Sequence, residues 1–104
     1  MKRISLVWKR PELSDAGFRE LWLGEHVALA KQLPGLREYV IDIVMDGPEG
    51  APAGIAMVRF DSRRALDRAL QDPALKANLL RTRGDFAESV QTLFVEEHVI
   101  VSGR

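Results

Sequence analysis

The apolar residues of this chain follow two spacings, and the switches between them mark out the elements. Ile4 to Trp8 is a short β-branched and aromatic run closed by Lys9, Arg10 and Pro11, which predicts a first strand. A strand that hides one face carries a polar residue at every second position. Here only Ser5 and Lys9 do, so this strand is expected to bury both faces. From Asp15 to about Gln32 the apolar positions Phe18, Leu21, Trp22, Ala28, Leu29 and Leu33 recur along one side of a helix. Ser14 precedes it, with a hydroxyl able to accept from the free N–H groups of the first turn, and Asp15 sets a negative charge at the positive end of the helix dipole. Pro34-Gly35 ends it.

Leu36 to Met45, rich in Tyr39, Val40, Ile41, Ile43 and Val44, predicts a second strand, and Ile55 to Phe60 a third. Asp46-Gly47-Pro48-Glu49-Gly50 between them reads as an exposed loop, longer than a two-residue hairpin turn. Asp61-Ser62 caps a second helix with Ala65, Leu66, Ala69 and Leu70 on one side. Asp72-Pro73, an N-cap followed by proline at the first helical position, opens a further turn or two with Leu75, Leu79 and Leu80. Thr82-Arg83-Gly84-Asp85 is expected to break that segment, and Phe86 to Val90 to fray or form a short coil. Gln91 to Val101 predicts the last strand, with Leu93, Val95, Val99 and Val101 on one face and Phe94, Glu96, His98 and Ile100 on the other.

The order strand, helix, strand, strand, helix, strand is the split βαβ, or ferredoxin-like, arrangement. This is an α+β fold whose helices cover one face of a four-stranded antiparallel sheet. The opposite face then carries large apolar residues from the first, second and last strands. An apolar surface beyond a few hundred Å² marks an interface, and the simplest cover is the same face of an identical chain across a two-fold axis. A homodimer joined through the sheet face is expected.

Length and charge narrow the partners. A chain of 104 residues fits one domain, residues 1–104. Fifteen Lys and Arg balance fifteen Asp and Glu, with no long block of either sign, so there is neither a nucleic-acid footprint nor a polybasic membrane patch. Cysteine is absent, which removes disulfides, thiolate metal sites and cysteine nucleophiles and suits a reducing compartment. The apolar run after Met1-Lys2-Arg3 stops at Lys9-Arg10, too short for a signal-peptide core. No stretch reaches the roughly 20 apolar residues that span a bilayer. The expectation is a cytoplasmic protein that binds neither nucleic acid nor membrane.

Few residues ask for a chemical explanation. His26 lies one turn after Trp22, toward the edge of the apolar stripe, where an imidazole can exchange a proton near neutral pH or hold a ligand oxygen. The ordinary alternative is a histidine hydrogen-bonded to backbone at a helix edge. Glu25 projects toward the same side. His98 shares a strand face with Glu96, an arrangement that tunes a proton-transfer group or merely decorates an exposed strand end. The two histidines are far apart in sequence, so no metal site is expected. Trp8, Trp22, Tyr39, Phe60, Phe86 and Phe94 are candidates to line a hydrophobic cleft, although most belong to the core. The pairs Arg63 and Arg64, and Arg81 and Arg83, read most simply as solvated helix faces, with binding of an acidic ligand as the lesser alternative. Glycine-rich phosphate loops and serine-nucleophile elbows are missing.

The run from Phe18 through Trp22 and His26 to Ala30, followed by Leu33-Pro34-Gly35-Leu36-Arg37-Glu38-Tyr39-Val40, resembles the EthD family of dimeric α+β barrel proteins. The shared features are a tryptophan with histidine four residues on, a Leu-Pro-Gly-Leu break, and an Arg-x-Tyr that opens the second strand. Asp85-Phe86 and the segment Val95 to Ile100 are similar to the family's closing stretch. The resemblance implies a ferredoxin-like protomer, a sheet-to-sheet homodimer and a cleft between helix and sheet. Roles across that superfamily include accessory function in alkyl ether degradation, muconolactone isomerisation, cofactor-free oxidation or dehydration of aromatic polyketides, and haem handling. The family's histidine, tryptophan and tyrosine fall on His26, Trp22 and Tyr39.

The leading expectation is therefore a small protein that binds a hydrophobic or aromatic oxygenated metabolite, with His26 as the catalytic proton-transfer group and no cofactor. Trp22, Tyr39, Phe94 and His98 are the substrate-binding candidates. The alternatives are a non-catalytic binding module that supports a neighbouring enzyme, and haem handling with His26 or His98 as axial ligand.

Overall fold

Each long helix starts on a side-chain cap. Ser14 Oγ accepts from Gly17 N at 3.0 Å and Ser62 Oγ from Ala65 N at 3.1 Å. Asp72 Oδ1 accepts from Ala74 N and Leu75 N, and Pro73 takes the first helical position. In the computed structural model, which describes residues 1–103, the chain runs β1 (Lys2–Lys9), α1 (Asp15–Leu21), a π turn (Trp22–His26), α2 (Val27–Ala30), β2 (Glu38–Ile43), β3 (Gly54–Arg59), α3 (Arg63–Ala69), α4 (Pro73–Phe86) and β4 (Ala87–Val95). The four strands form one sheet in the order β2-β3-β1-β4, with every neighbouring pair antiparallel. This is the ferredoxin-like α+β fold.

Directly opposite residues of an antiparallel pair share a face, so the register fixes what each side of the sheet presents. Arg3, Ser5 and Val7 of β1, Val58 and Ala56 of β3, Tyr39 of β2, and Val90 and Thr92 of β4 face the helices. Ile4, Leu6 and Trp8, with Val40, Ile55, Met57, Leu93 and Val95, face the other way. The third strand thus adds Ile55 and Met57 to the apolar outer surface expected from the other three. The core on the helix side has two parts. One is Val7, Phe18, Trp22, Phe86 and Ala87, and the other is Leu33, Val58, Phe60, Leu66 and Ala69.

Three segments depart from the pattern-based expectation. The first helix is not continuous, because a π turn takes in one extra residue between α1 and α2 and rotates the residues after it. Gly24 inside it leaves helical dihedrals at φ −88°, ψ −108°. The buried positions become Phe18, Trp22, Ala30 and Leu33, while Leu21 and Ala28 turn outward and Leu29 is only half-buried. Past this helix, Gly35 reverses the chain at φ +80°, a conformation that disfavours side chains with a Cβ.

The expected break at Thr82 to Asp85 does not occur, and α4 continues to Phe86. A glycine inside a helix costs about 1 kcal/mol relative to alanine, whereas burying a phenylalanine gains roughly 1.5–3 kcal/mol. Phe86 is 1% exposed, so its burial wins. The last strand starts at Ala87, where a coil was expected, and stops at Val95 rather than Val101. Its one neighbour is β1, and the ladder between them ends at Lys2 opposite Val95. Beyond that point no strand lies alongside, so Val99, Ile100 and Val101 are exposed despite their β-branched character.

Helix layer and sheet come into tight contact at Gly54. A Cβ built there would overlap the edge of the six-membered part of the Trp22 indole, 2.8 Å from Cη2 and closer still to Cζ3. Trp22 is 1% exposed and stacks on Phe86, with ring centroids 5.2 Å apart and planes 15° from parallel. It therefore has no room to retreat. Gly54→Ala is expected to destabilise the fold by about 3 kcal/mol, at the upper end of overpacking costs. Gly84→Ala, in an open helical position, is expected to stabilise it by about 0.5–1 kcal/mol. Urea unfolding of the two variants checks both, and equal effects would contradict the close contact.

Candidate functional site

Between the helices and the sheet lies a cavity of about 190 Å³. Its floor is the inward face of the sheet, with Arg3, Ser5 and Val7 along the middle, Tyr39 on one side and Val90 and Thr92 on the other. Trp22, His26 and Ala30 descend from the first helical segment, and Leu79, Leu80, Arg83 and Phe86 from α4. The π turn is what aims His26 here, since it runs from Trp22, which must sit on Gly54, to His26 itself.

His26 Nδ1 lies 2.7 Å from Thr82 Oγ1. That hydroxyl also lies 2.9 Å from Asn78 O and 3.2 Å from Leu79 O. Carbonyls only accept, and the hydroxyl has one hydrogen to give, so Thr82 donates to the backbone and accepts from His26. With the Thr82 hydrogen given to a backbone carbonyl, the imidazole is the Nδ1–H tautomer, and Nε2 is an acceptor with no hydrogen-bond partner among the described residues. The ring also meets the edge of Phe86, with centroids 5.2 Å apart. Burial, reinforced by the positive charge of Arg83, pushes the His26 pKa down to about 4. At neutral pH the imidazole is uncharged.

Tyr39 brings a phenol to the same space. Burial raises its pKa, partly offset by the Trp22 indole N–H and the charge of Arg3, although no hydrogen bond of ordinary length joins the phenol to either. Arg3 is the least expected wall residue. Its Nε is fully buried without an acceptor, and burial together with repulsion from Arg83 and Arg63 lowers its pKa.

Of the residues picked out from the sequence, His26, Trp22 and Tyr39 meet at the cavity. Phe94 lies on the same sheet face, opposite Arg3, but outside the cavity wall, 46% exposed and covered by the Arg63 guanidinium 3.7 Å from its ring centroid. His98 lies beyond the end of β4, exposed, with Nε2 3.0 Å from Glu96 Oε2. The Glu96–His98 contact forms, but away from the cavity. Glu25 points outward to Arg81 at 2.9 Å. Sequence reasoning missed Arg3 and Thr82. Thr82 had a signal, for Leu75, Leu79, Thr82 and Phe86 step at helical spacing along one face of α4. Among the described residues no three His, Cys, Asp or Glu side chains are grouped to hold a metal ion, and no helix is long and apolar enough to cross a membrane.

The sequence matches the EthD domain over residues 10–89, a stretch that includes His26, Trp22, Tyr39, Thr82 and Phe86. This chain belongs to the EthD family. Solved structures similar to this EthD domain include an ethyl tert-butyl ether D (EthD) family protein from Bacillus halodurans, at 22% identity and TM-score 0.76, covering 94% of this chain and 99% of that one. A dimeric ferredoxin-like protein of unknown function from Thermobifida fusca aligns at 13% identity and TM-score 0.70, over 88% of this chain and 85% of that one. SnoaB, a cofactor-independent oxygenase from Streptomyces nogalater, aligns at 10% identity and TM-score 0.65, over 96% of each chain. At such identities the likeness is one of fold. No curated protein matches the sequence.

The depressed pKa of His26 makes a stability prediction. The unfolded chain binds this proton near pH 6.5 and the folded EthD domain only near 4, so between those values the unfolded state holds more protons. Stability therefore rises with pH across that window, is complete above about 6.5, and is lost as pH falls toward 4. Allowing for the solvent that reaches the ring, the loss is about 2 kcal/mol. His26→Asn is expected to lack that component, while exposed carboxylates weaken both proteins alike. Urea unfolding at pH 4.5 and 7 measures the difference, and identical pH slopes would show that His26 is not held neutral.

Proposed function

We propose that this EthD domain, spanning residues 1–104 in the cytoplasm, binds a small hydrophobic or aromatic oxygenated metabolite in the cavity and acts on it through His26 without a bound cofactor. The carrying observation is the setting of His26. Thr82 holds its Nδ1 at 2.7 Å, and Nε2 is left as a free acceptor on the wall of an otherwise largely apolar cavity. A neutral imidazole so fixed can take a proton from a ligand hydroxyl or an activated carbon and return it elsewhere, the step common to isomerisation and to cofactor-free oxygenation. Trp22 and Tyr39 offer an indole N–H and a phenol to orient a ligand oxygen.

Size supports a modest substrate. A dry cavity of roughly 150 Å³ accommodates benzene, so about 190 Å³ suits a single ring with one or two substituents. It is well below the roughly 300–1,000 Å³ that hold drug-sized ligands.

The second reading, a binding module that delivers its ligand to a neighbouring enzyme, has its own support. A pKa near 4 makes the imidazole a weak base, whereas acid–base catalysis is most efficient when the pKa is near the working pH. Among the described residues no carboxylate hydrogen-bonds His26 to strengthen it. Thermal-shift screening of single-ring oxygenated compounds, followed by NMR of each bound ligand, separates the two. If the enzyme reading holds, a ligand is converted and His26→Gln slows conversion by about 10²–10⁴-fold. A change of only a few-fold removes His26 from the chemistry, and ligands recovered unaltered favour the module.

The outer face of the sheet is the proposed homodimer surface. Ile4, Leu6, Val40, Ile55, Met57 and Leu93 form a continuous apolar field across all four strands, a surface of the kind that associates. The structures similar in fold include two described as dimeric. Light scattering at micromolar concentration is expected to give a dimer, and Leu6→Glu a monomer that keeps its fold. A monomeric parent protein would remove the proposal.

A further inference from the structure

The charged groups are distributed in a way that the fold alone does not require. Five cations away from the cavity meet carboxylates: Arg10 with Glu12, Arg37 with Asp61, Arg81 with Glu25, and Arg59 and Lys2 with Glu97. At the cavity none does. Its wall includes Arg3, Lys76 and Arg83, and no aspartate or glutamate. Among the described residues none of these three makes an ion pair. With as many acids as bases in the sequence, the shortage of negative charge is local to this site.

Arg3 carries the argument furthest. It projects from the middle of the sheet on the helix side, between Val58 and Phe94 on the flanking strands. Its guanidinium makes no hydrogen bond to the protein among the described residues, and Nε is fully enclosed. A buried charged donor without an acceptor is a costly arrangement. Arg83 and Arg63 are close enough to repel it, and Arg63 is itself held over the face of Phe94. All three effects favour an anion at this end of the cavity. A guanidinium fork suits a carboxylate, which it can bind with two parallel hydrogen bonds.

We propose that the ligand is a small single-ring carboxylate, with its carboxylate matched by Arg3 and its ring in the apolar part of the cavity among Val7, Trp22 and Phe86. The proposal rests on the cavity reading above and narrows it to a substrate class. A carboxylate at Arg3 neutralises the repulsion within the basic cluster and leaves the ring's substituents to His26 Nε2 and the Tyr39 phenol. Lys76 and Arg83 add a positive field that attracts the anion and weakens as salt rises.

Calorimetric titration of the full chain with benzoate and with benzamide, which match in shape but differ in charge, tests this at pH 7. Benzoate is expected to bind at least tenfold more tightly, with an affinity that falls between 50 and 300 mM salt. In Arg3→Met the preference is expected to vanish while benzamide binding persists, and thermal unfolding verifies that the variant is folded. Equal binding of the two compounds by the parent protein overturns the carboxylate assignment and leaves the cavity reading standing. A preference that survives in folded Arg3→Met overturns the role of Arg3. Binding of neither compound overturns this proposal together with the cavity reading.

Discussion

The Trp22 indole, seated on Gly54 and stacked on Phe86, is the contact on which the rest of the site depends. It ties the first helical segment to β3 and to the end of α4 at once. Because Trp22 cannot move, the π turn that begins there must deliver His26 from a fixed origin. Because Phe86 must reach the indole, α4 cannot break at Gly84, and its unbroken last turns set Thr82 opposite His26. The geometry that defines the imidazole's tautomer is thus a consequence of aromatic packing, with Phe18 closing the group at 5.3 Å from Trp22 and 5.9 Å from Phe86. Edge-on and offset rings of this kind contribute about 0.5–1.5 kcal/mol per pair beyond their buried area. Summed over the three pairs, that exceeds the cost of about 1 kcal/mol for a helical glycine.

Electrostatics follow a different logic from packing. The ion pairs on the surface are exposed, and such pairs contribute little to stability. The cavity wall holds three cations without ion-pair partners among the described residues, Arg3, Lys76 and Arg83, and there burial and repulsion between positive charges act on Arg3 and on His26 in the same direction, toward the neutral form. For histidine that is easily met by losing a proton. Arginine holds its proton at any physiological pH, so the strain of the arrangement rests on Arg3.

Much of the fold was legible in the sequence because local signals and hydrophobic period agreed. Ser14, Ser62 and Asp72-Pro73 each start a helix where their chemistry says they should, and Gly35 turns the chain where a break was expected. The failures share a cause, since each was decided by a partner distant in sequence. The π turn answers to Gly54, the continuity of α4 answers to Trp22, and the end of β4 answers to the end of β1. At the site, Trp22, His26 and Tyr39 were visible through helical spacing and resemblance. Arg3 was not, because a basic residue beside Lys2 near the start of a strand looks like any solvated flank until the sheet register turns it inward.

The weak alternation of β1 now has a physical meaning. In a half-buried strand the apolar residues point at the helices and the polar ones at water. β1 departs from this, with Arg3 and Ser5 pointing at the helices beside the buried Val7, and Ile4, Leu6 and Trp8 pointing away. The central strand of a sheet tolerates inward polar side chains only where something meets their hydrogen-bonding demand, and outward apolar ones only where something excludes water from them. Both demands arise on one strand, from adjacent residues. A ligand on the inner face and a second chain on the outer face satisfy them together. On the ligand and the dimer proposed above, residue 3 through residue 8 encode both surfaces in alternating positions.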